Sequence, residues 1–153
     1  MLVEGEDDYA AVMGAARAMN KDLESLGVSV IPVNGKRSMD RPAIIFQEFG
    51  IPVYLLWDSD CEKGETAGFC ETCGKPVDGK PDPCDNHRLL RIVGKPQEDW
   101  PEHREKYHCC FKRDLECTLK AEIGDALFEK LLGDCQSEFA IPKRKHAIKN
   151  QAV

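Results

Sequence analysis

Hydrophobic and polar positions in the first third of the chain predict alternating strands and helices. Residues 2–3 end a short apolar strand, residues 9–19 repeat apolar positions at helical spacing, and residues 28–33 are β-branched and apolar. Residues 38–49 carry a second helical pattern. Residues 51–57 are almost continuously apolar, as expected of a strand buried on both faces. This β-α-β-α-β order with short connections predicts an α/β fold with a mainly parallel sheet flanked by helices.

The pattern changes after residue 60. Residues 61–85 are rich in Gly, Pro and Cys, which is typical of an insertion rather than of a regular element. Beyond it the pattern predicts a strand at residues 108–111 and helices at residues 86–94, 114–124 and 125–133. We therefore expect a single domain over residues 1–153 that carries a Cys-rich insertion at residues 61–85.

Composition and charge narrow the class of protein. The 153 residues are 42% hydrophobic and 31% charged, which fits a globular domain with its own core. The net charge of -6 argues against nucleic-acid binding by bulk electrostatics alone. It leaves room for a nucleic-acid enzyme whose acids hold metal ions, because bound cations invert the local field. No signal peptide and no membrane-spanning apolar run is visible, so we expect a cytoplasmic protein without a membrane partner.

Acidic residues follow the first and third predicted strands. Glu4, Gly5 and Asp8 come after the first strand, and Asp58 and Asp60 come directly after the third. Ligands of parallel sheets bind outside the carboxyl ends of the strands, so both acidic clusters should lie at one edge. We expect Gly5 to allow a sharp turn beside Glu4 and Asp8 to cap the following helix. Clustered carboxylates suit Mg²⁺ or Mn²⁺.

The segments "LVEGEDD" and "YLLWDSD" resemble the topoisomerase–primase (Toprim) domain, whose marks are a Glu after the first strand and Asp-x-Asp after the third. Residues 28–60 resemble in particular the nuclease domain of the OLD (overcoming lysogenisation defect) family of ATP-dependent endonucleases. The later segments "NHRLLRIVG", "FKRDLECTL" and "KHAIKN" also fit that family. The resemblance implies a Toprim-like (Rossmann-like) fold and a metal-dependent endonuclease. Such an enzyme hydrolyses DNA phosphodiester bonds with two Mg²⁺ or Mn²⁺ ions.

The resemblance also assigns roles to individual residues. The acids that match the family's metal ligands are Glu4, Asp8, Asp58, Asp60 and Glu116. Lys149 is the best match to a catalytic basic residue near the scissile phosphate, and Lys145 is the alternative. Gln151 stands where the family usually has proline, which weakens the match at this end.

The resemblance extends to partners. Full-length members of the family carry an ABC-type ATPase before the Toprim domain, whereas this sequence contains no Gly-rich P-loop and its first strand lies at its very start. We therefore expect a fragment or stand-alone remnant that lacks the ATPase domain. The resemblance implies DNA and an ABC-type ATPase domain or subunit as partners, and a homodimer remains open.

The chain holds eight cysteines, which without a secretion signal we interpret as thiols or metal ligands. Cys70-x-x-Cys73 followed by Cys84 is typical of a zinc knuckle, with His87 or Cys61 as the fourth ligand. The other cysteines have no ligand spacing, so we interpret them as small buried hydrophobes: Cys109, Cys110, Cys117 and Cys135.

Other functions compete with the endonuclease. A topoisomerase would need a catalytic tyrosine from a further domain, and a primase would need a separate extension. A receiver-like signalling domain also gathers acids after its first and third strands, with a lysine nearby, although Asp60 and the Cys-rich insertion fit it poorly. An inactive or regulatory module that binds a partner is the remaining alternative.

Overall fold

The structure is a computed structural model that describes residues 1–62, 68–70, 73–77 and 82–138. Its strands are β1 (Leu2–Val3), β2 (Ile31–Pro32), β3 (Leu55–Asp58), β4 (Gly68–Phe69), β5 (Pro76–Val77), β6 (His103–Arg104) and β7 (His108–Phe111). Its α-helices are α1 (Glu6–Ala18), α2 (Asp40–Glu48), α3 (Cys84–Ile92), α4 (Leu115–Ile123) and α5 (Asp125–Glu138). A short 3₁₀ turn, Lys36–Ser38, precedes α2.

Five strands form one mixed, mostly parallel sheet in the order β2-β1-β3-β7-β6. β1 pairs in parallel with β2 and β3, and β3 pairs in parallel with β7, whereas β6 runs antiparallel to β7. β4 and β5 form a separate antiparallel ribbon within the Cys-rich segment. The predicted α/β class, with a mainly parallel sheet, flanking helices and a Cys-rich insertion, is confirmed.

One hydrophobic core joins the sheet to two helices. It consists of Leu2, Met39, Ala43, Leu55, Trp57, Leu89, Leu90 and Cys110. The three apolar residues of β3 are all buried, as the continuous apolar run predicted. Trp57 is fully buried, and its indole N–H donates to Asn86 Oδ1 over 3.2 Å. Because a buried polar group needs a partner, this hydrogen bond lets the ring occupy the centre of the core.

The first two helices begin at different residues from those predicted. α1 begins at Glu6, so Asp8 lies inside its first turn, where Asp8 Oδ2 accepts the Gly5 N–H over 2.9 Å. Gly5 has an extended backbone with φ −146°, which any residue adopts, so the conformational role expected for this glycine is wrong. The second predicted helix, at residues 38–49, starts two residues later than expected: Ser38 lies in the 3₁₀ turn and α2 begins at Asp40.

Two strands at the edges of the sheet also differ from the sequence pattern. β2 covers only Ile31–Pro32 of the predicted residues 28–33, and Pro32 has no N–H group to donate. β6, which the pattern did not predict, has two residues and is held by its pairing with β7. Short edge strands are common because a long exposed edge would pair with other chains.

The C-terminal part of the described chain is helical, as predicted. Asp114 caps α4 by accepting the Cys117 N–H at Oδ1 over 2.7 Å. Gly124 then separates α4 from α5 with φ +85°, a conformation that favours glycine. In the part of the chain that the structure describes, no helix is long and apolar enough to cross a membrane.

Candidate functional site

Glu4 and Asp58 meet at the carboxyl edge of the sheet. Glu4 directly follows β1, and Asp58 is the last residue of β3. Because β1 and β3 are parallel neighbours, the ends of both strands lie side by side. The Asp58 N–H donates to Glu4 Oε2 over 3.2 Å. The two acidic segments that are far apart in the sequence therefore touch at the edge where α/β sheets bind ligands.

Backbone hydrogen bonds hold the turn that carries Asp58 and Asp60. The Ser59 N–H donates to Phe111 O over 2.7 Å, and the Asp60 N–H donates to Arg113 O over 3.0 Å. Asp58 Oδ1 accepts the N–H of Leu115, the first residue of α4, over 3.1 Å. Asp60 adopts φ +61°, a left-handed conformation that is uncommon outside glycine. The β7–α4 connection thus fixes the carboxylate of Asp58 and the backbone of Asp60.

Lys36 reaches this edge from the end of β2. Its Nζ donates to Asp60 Oδ2 over 2.8 Å and to the Asp58 carbonyl oxygen over 2.7 Å, and its side chain is only 10% exposed. Gly35, with φ +117°, turns the chain here and donates its N–H to Glu4 O over 2.8 Å. The sequence reasoning missed Lys36. Its position in the short connection after the second predicted strand is the signal that could have found it.

Burial and neighbouring charges act together on Glu4. Burial, as the largest cause, raises the pKa of its carboxyl group above the usual value, and the charges of Asp60 and Asp8 raise it further. The Lys36 ammonium and the hydrogen bond from the Asp58 N–H act in the opposite direction. Glu4 is therefore a carboxylate whose negative charge is poorly compensated in this structure, and additional positive charge at this edge would stabilise it.

The acids do not form a closed ligand cage in this structure. Among the described residues, two groups of three side chains bring potential ligand atoms within 4.8 Å of one another, namely Cys70, Cys73, Cys84 and His103, His108, Cys110. The four acids Glu4, Asp8, Asp58 and Asp60 are in neither group. They do share one region, since Glu4 bonds to the Asp58 backbone and feels the charges of Asp8 and Asp60.

The remaining residues predicted for this site lie further along the chain. Glu116 is in the first turn of α4, one residue after the Leu115 N–H that binds Asp58, and its Oε1 pairs with Lys120 Nζ over 3.0 Å. Lys149 and Lys145 lie outside the described residues. The assignment of a catalytic lysine in the tail therefore stays a prediction.

Three cysteines of the predicted knuckle come together. Cys70 follows β4, Cys73 lies in the turn before β5, and Cys84 starts α3. The Cys73 N–H donates to Cys70 Sγ over 3.4 Å. The Lys75 N–H lowers the pKa of the Cys73 thiol, whereas burial raises the pKa of Cys84 to about 12. Three sulfur atoms at this spacing are a partial tetrahedral set of the type that zinc takes.

The fourth ligand of this knuckle is not part of the group. His87 lies one helical turn after Cys84 in α3, and its Nε2 is 2.7 Å from Asp99 Oδ1. Neither His87 nor Cys61 belongs to the three-cysteine cluster. Either side chain would have to move toward the sulfur atoms, or a water molecule would complete the coordination.

The fold is α/β, and acidic residues meet at the carboxyl edge of its mostly parallel sheet. Residues 1–60 match the family model described as "Overcoming lysogenization defect protein-like, TOPRIM domain", which confirms the resemblance inferred from "LVEGEDD" and "YLLWDSD" in this segment. No curated protein and no solved structure matches the chain. Toprim domains bind divalent metals and act on nucleic acids. The match supports this general class for the segment that contains Glu4, Asp8, Lys36, Asp58 and Asp60.

Proposed function

We propose that this protein is a divalent-metal-dependent endonuclease domain that hydrolyses DNA phosphodiester bonds. The observation that carries the proposal is the contact between Glu4 and the Asp58 backbone at the carboxyl edge, within the segment that matches the Toprim family. Both residues lie where the family pattern has its metal ligands. The alternation of strands and helices brings them together without any further rearrangement of the sheet.

The donor atoms at this edge suit hard cations. The acids that would hold Mg²⁺ or Mn²⁺ are Glu4, Asp8, Asp58, Asp60 and Glu116. A carboxylate accepts at two oxygens, so the hydrogen bond to Glu4 Oε2 leaves that group coordination capacity. Two bound ions would supply Lewis-acid polarisation of a phosphodiester and lower the pKa of a water molecule, which is the chemistry of a two-metal hydrolase.

Lys36 supports the fit because it already places a positive group at this edge. Its ammonium contacts both the Asp58 carbonyl and the Asp60 carboxylate. We infer that Lys36 partly compensates the acids in the metal-free protein. With cations held by the acids, Lys36 would be available to bind a phosphate oxygen of the substrate, the role that the family resemblance gives to Lys149 or Lys145.

The Cys-rich insertion supplies a second part of the proposal. Cys70, Cys73 and Cys84 would hold one structural Zn²⁺, with His87 or Cys61 as the fourth ligand. The support is the convergence of three sulfur atoms from two separate segments of the chain. Such an ion would tie the β4–β5 ribbon to the start of α3, and so attach the insertion to the domain.

The partners follow from the same reasoning. DNA is the proposed substrate, and an ABC-type ATPase domain or subunit is the proposed source of any ATP control. Residues 1–153 would then act as one nuclease domain. The resemblance to the OLD family alone supports the ATPase partner.

The contact between Lys36 and Asp60 favours a second candidate, a regulatory receiver-like module. Receiver domains also place a lysine beside acids at the end of the sheet, and a small acyl phosphate phosphorylates one of their aspartates. Treating the purified chain with an acyl phosphate and measuring its mass at once would show an increase of one phosphoryl group if Asp58 or Asp60 were such an acceptor. The endonuclease proposal expects no such adduct.

Nicking of supercoiled plasmid DNA tests the proposed function. The full chain is incubated with plasmid in the presence of Mg²⁺, of Mn²⁺, or of Mn²⁺ with excess EDTA. We expect conversion to open-circular or linear DNA with either cation and none with EDTA. Plasmid that stays supercoiled with both cations at millimolar concentration would contradict an active nuclease and favour the inactive-module alternative.

A further inference from the structure

A cluster of two histidines and one cysteine lies on the β6–β7 hairpin, away from the Cys-rich insertion. His103 on β6 pairs directly with Cys110 on β7 in the antiparallel register. His108 is two residues before Cys110 on the same strand, so both side chains point to the same face of the sheet. The potential ligand atoms of the three residues all lie within 4.8 Å of one another.

The ring of His103 has partners on both nitrogen atoms. Its Nδ1 lies 3.1 Å from His108 Nε2, and its Nε2 lies 3.0 Å from Glu98 Oε2. A carboxylate on the far nitrogen of a histidine fixes its orientation and is the usual arrangement around metal-binding histidines. His108 is held in turn by stacking on Trp57, with ring centroids 5.5 Å apart and an interplanar angle of 20°.

We propose that His103, His108 and Cys110 form a second zinc site, separate from the cysteine knuckle. Zinc binds histidine nitrogen at about 2.0–2.1 Å and cysteine sulfur at about 2.3 Å, so the ligand atoms of a tetrahedral site with two histidines and one cysteine lie about 3.3–3.6 Å apart. Shifts of the ligand atoms by about 1 Å or less would bring them from the observed spacing to the spacing that zinc requires. His103 is partly exposed, so a water molecule from solvent completes the fourth position.

The protons balance in this step. The Cys110 thiol releases its proton to solvent, and a proton on His108 Nε2 moves to the other nitrogen of the same ring. Burial, as the largest cause, lowers the pKa of His108, which favours the neutral ring that binds metal. Burial also raises the pKa of Cys110 to about 12, so the thiol stays protonated until a cation arrives.

The proposed ion would adjoin the acidic turn. The Cys110 thiol lies beside Ser59, whose Oγ donates to Pro101 O over 2.6 Å. Ser59 lies between Asp58 and Asp60 in the sequence. Zinc on the β6–β7 hairpin would therefore help to fix Ser59 and with it the turn that carries the two aspartates. The ion would position these residues and would have no direct role in cleavage.

The competing explanation is a metal-free network in which Glu98 accepts from His103 and His103 accepts from His108. Both explanations account for the observed distances, but only one requires an ion. His103→Gln separates them, because an amide can still hydrogen-bond to Glu98 and to His108, whereas it is a poor zinc ligand. His103 lies on a short edge strand, so the change does not open a cavity in the core.

Zinc content of the purified, reduced full chain tests the proposal by elemental analysis. We expect about two zinc ions per chain if the knuckle is also loaded, and His103→Gln should lower the content by about one. Circular dichroism of the variant shows whether it is folded. Folded His103→Gln protein with unchanged zinc content would overturn the second site.

A second measurement does not depend on the folding of the His103 variant. In the triple variant Cys70→Ser, Cys73→Ser, Cys84→Ser, cobalt(II) chloride should produce a near-ultraviolet thiolate-to-metal charge-transfer band. Its intensity should be that expected for one thiolate ligand bound to cobalt. Absence of any thiolate band at saturating cobalt would overturn the proposal. Neither measurement involves DNA cleavage, so a failure here leaves the proposed nuclease function untouched.

Discussion

Lys36 is the most informative single residue at the acidic edge. Its Nζ makes two hydrogen bonds of 2.8 and 2.7 Å to Asp60 and to the Asp58 carbonyl, and its side chain is only 10% exposed. Lys36→Met keeps the length and packing of the side chain and removes its charge. The negative charges of Glu4, Asp8 and Asp60 would then lose their compensating cation.

The expected cost in the free energy of unfolding follows from this burial. Breaking a buried ion pair by removing one partner costs about 3–5 kcal/mol. The Asp60 side chain is 24% exposed, so solvent screens part of the loss, and we expect about 2–3 kcal/mol for Lys36→Met. In a domain of this size, that lowers Tm by about 5–10 °C.

A matched control comes from a more exposed lysine. Lys95 pairs with Glu105 over 2.8 Å, with side chains 33% and 46% exposed. Water and salt screen an ion pair at this exposure, so Lys95→Met should change Tm little. Thermal melts of both variants in EDTA give the comparison directly.

Divalent cations should reverse the effect of Lys36→Met. A bound ion replaces the missing positive charge, so Mn²⁺ should raise the Tm of Lys36→Met more than that of the unchanged protein. Chemical denaturation with and without Mn²⁺ provides an independent measure. The reasoning is refuted if Lys36→Met and Lys95→Met melt alike in EDTA, or if Mn²⁺ stabilises Lys36→Met no more than the original chain.

Two further predictions concern the other parts of the site. Because the pKa of Glu4 is raised in the folded protein, its ionisation costs stability as pH rises through that pKa. In EDTA, Glu4→Gln should therefore raise Tm more at about pH 7.5 than at about pH 5. The same variant should abolish the stabilisation by Mn²⁺. An equal gain in Tm at both pH values would contradict the pH prediction. Cys73→Ser should remove about one zinc ion per chain, whereas Cys117→Ser, which is outside both metal-type clusters, should remove none. Equal zinc contents of the two variants by elemental analysis would contradict the proposed zinc site at the three cysteines.

The parts of the fold that depend on local sequence signals could be predicted. The second half of the predicted strand at residues 51–57 forms the buried strand β3, whereas residues 51–54 lie outside it, and "HCCF" forms β7 at the residues expected. The meeting of Glu4 and Asp58 followed from topology, because parallel strands end at a common edge. Here the pattern of hydrophobic residues and the rules of chain connection point to the same structure.

The parts that depend on tertiary pairing could not be predicted. β6 has two residues and is held by its hydrogen bonds to β7, so no periodic pattern in the sequence predicts it. Cys110 was interpreted as a small buried hydrophobe; it is buried, but the antiparallel register also places it opposite His103. The spacing His-x₄-His-x-Cys becomes a cluster only once that register is known. Lys36 was missed for a similar reason, since its partners lie more than 20 residues away.

The central claim is that the acids after the parallel strands carry metal-dependent DNA cleavage. Its most direct test compares nicking of supercoiled plasmid by Asp58→Asn and Glu6→Gln at the same Mn²⁺ concentration. Asparagine keeps an oxygen that can accept the Leu115 N–H, so the turn is preserved while the charge is lost. Glu6 is exposed in the first turn of α1, so Glu6→Gln is a control that also removes one negative charge. The account predicts that Asp58→Asn nicks at most about one hundredth as fast as the unchanged chain and that Glu6→Gln nicks normally. Equal nicking by the two variants would contradict it.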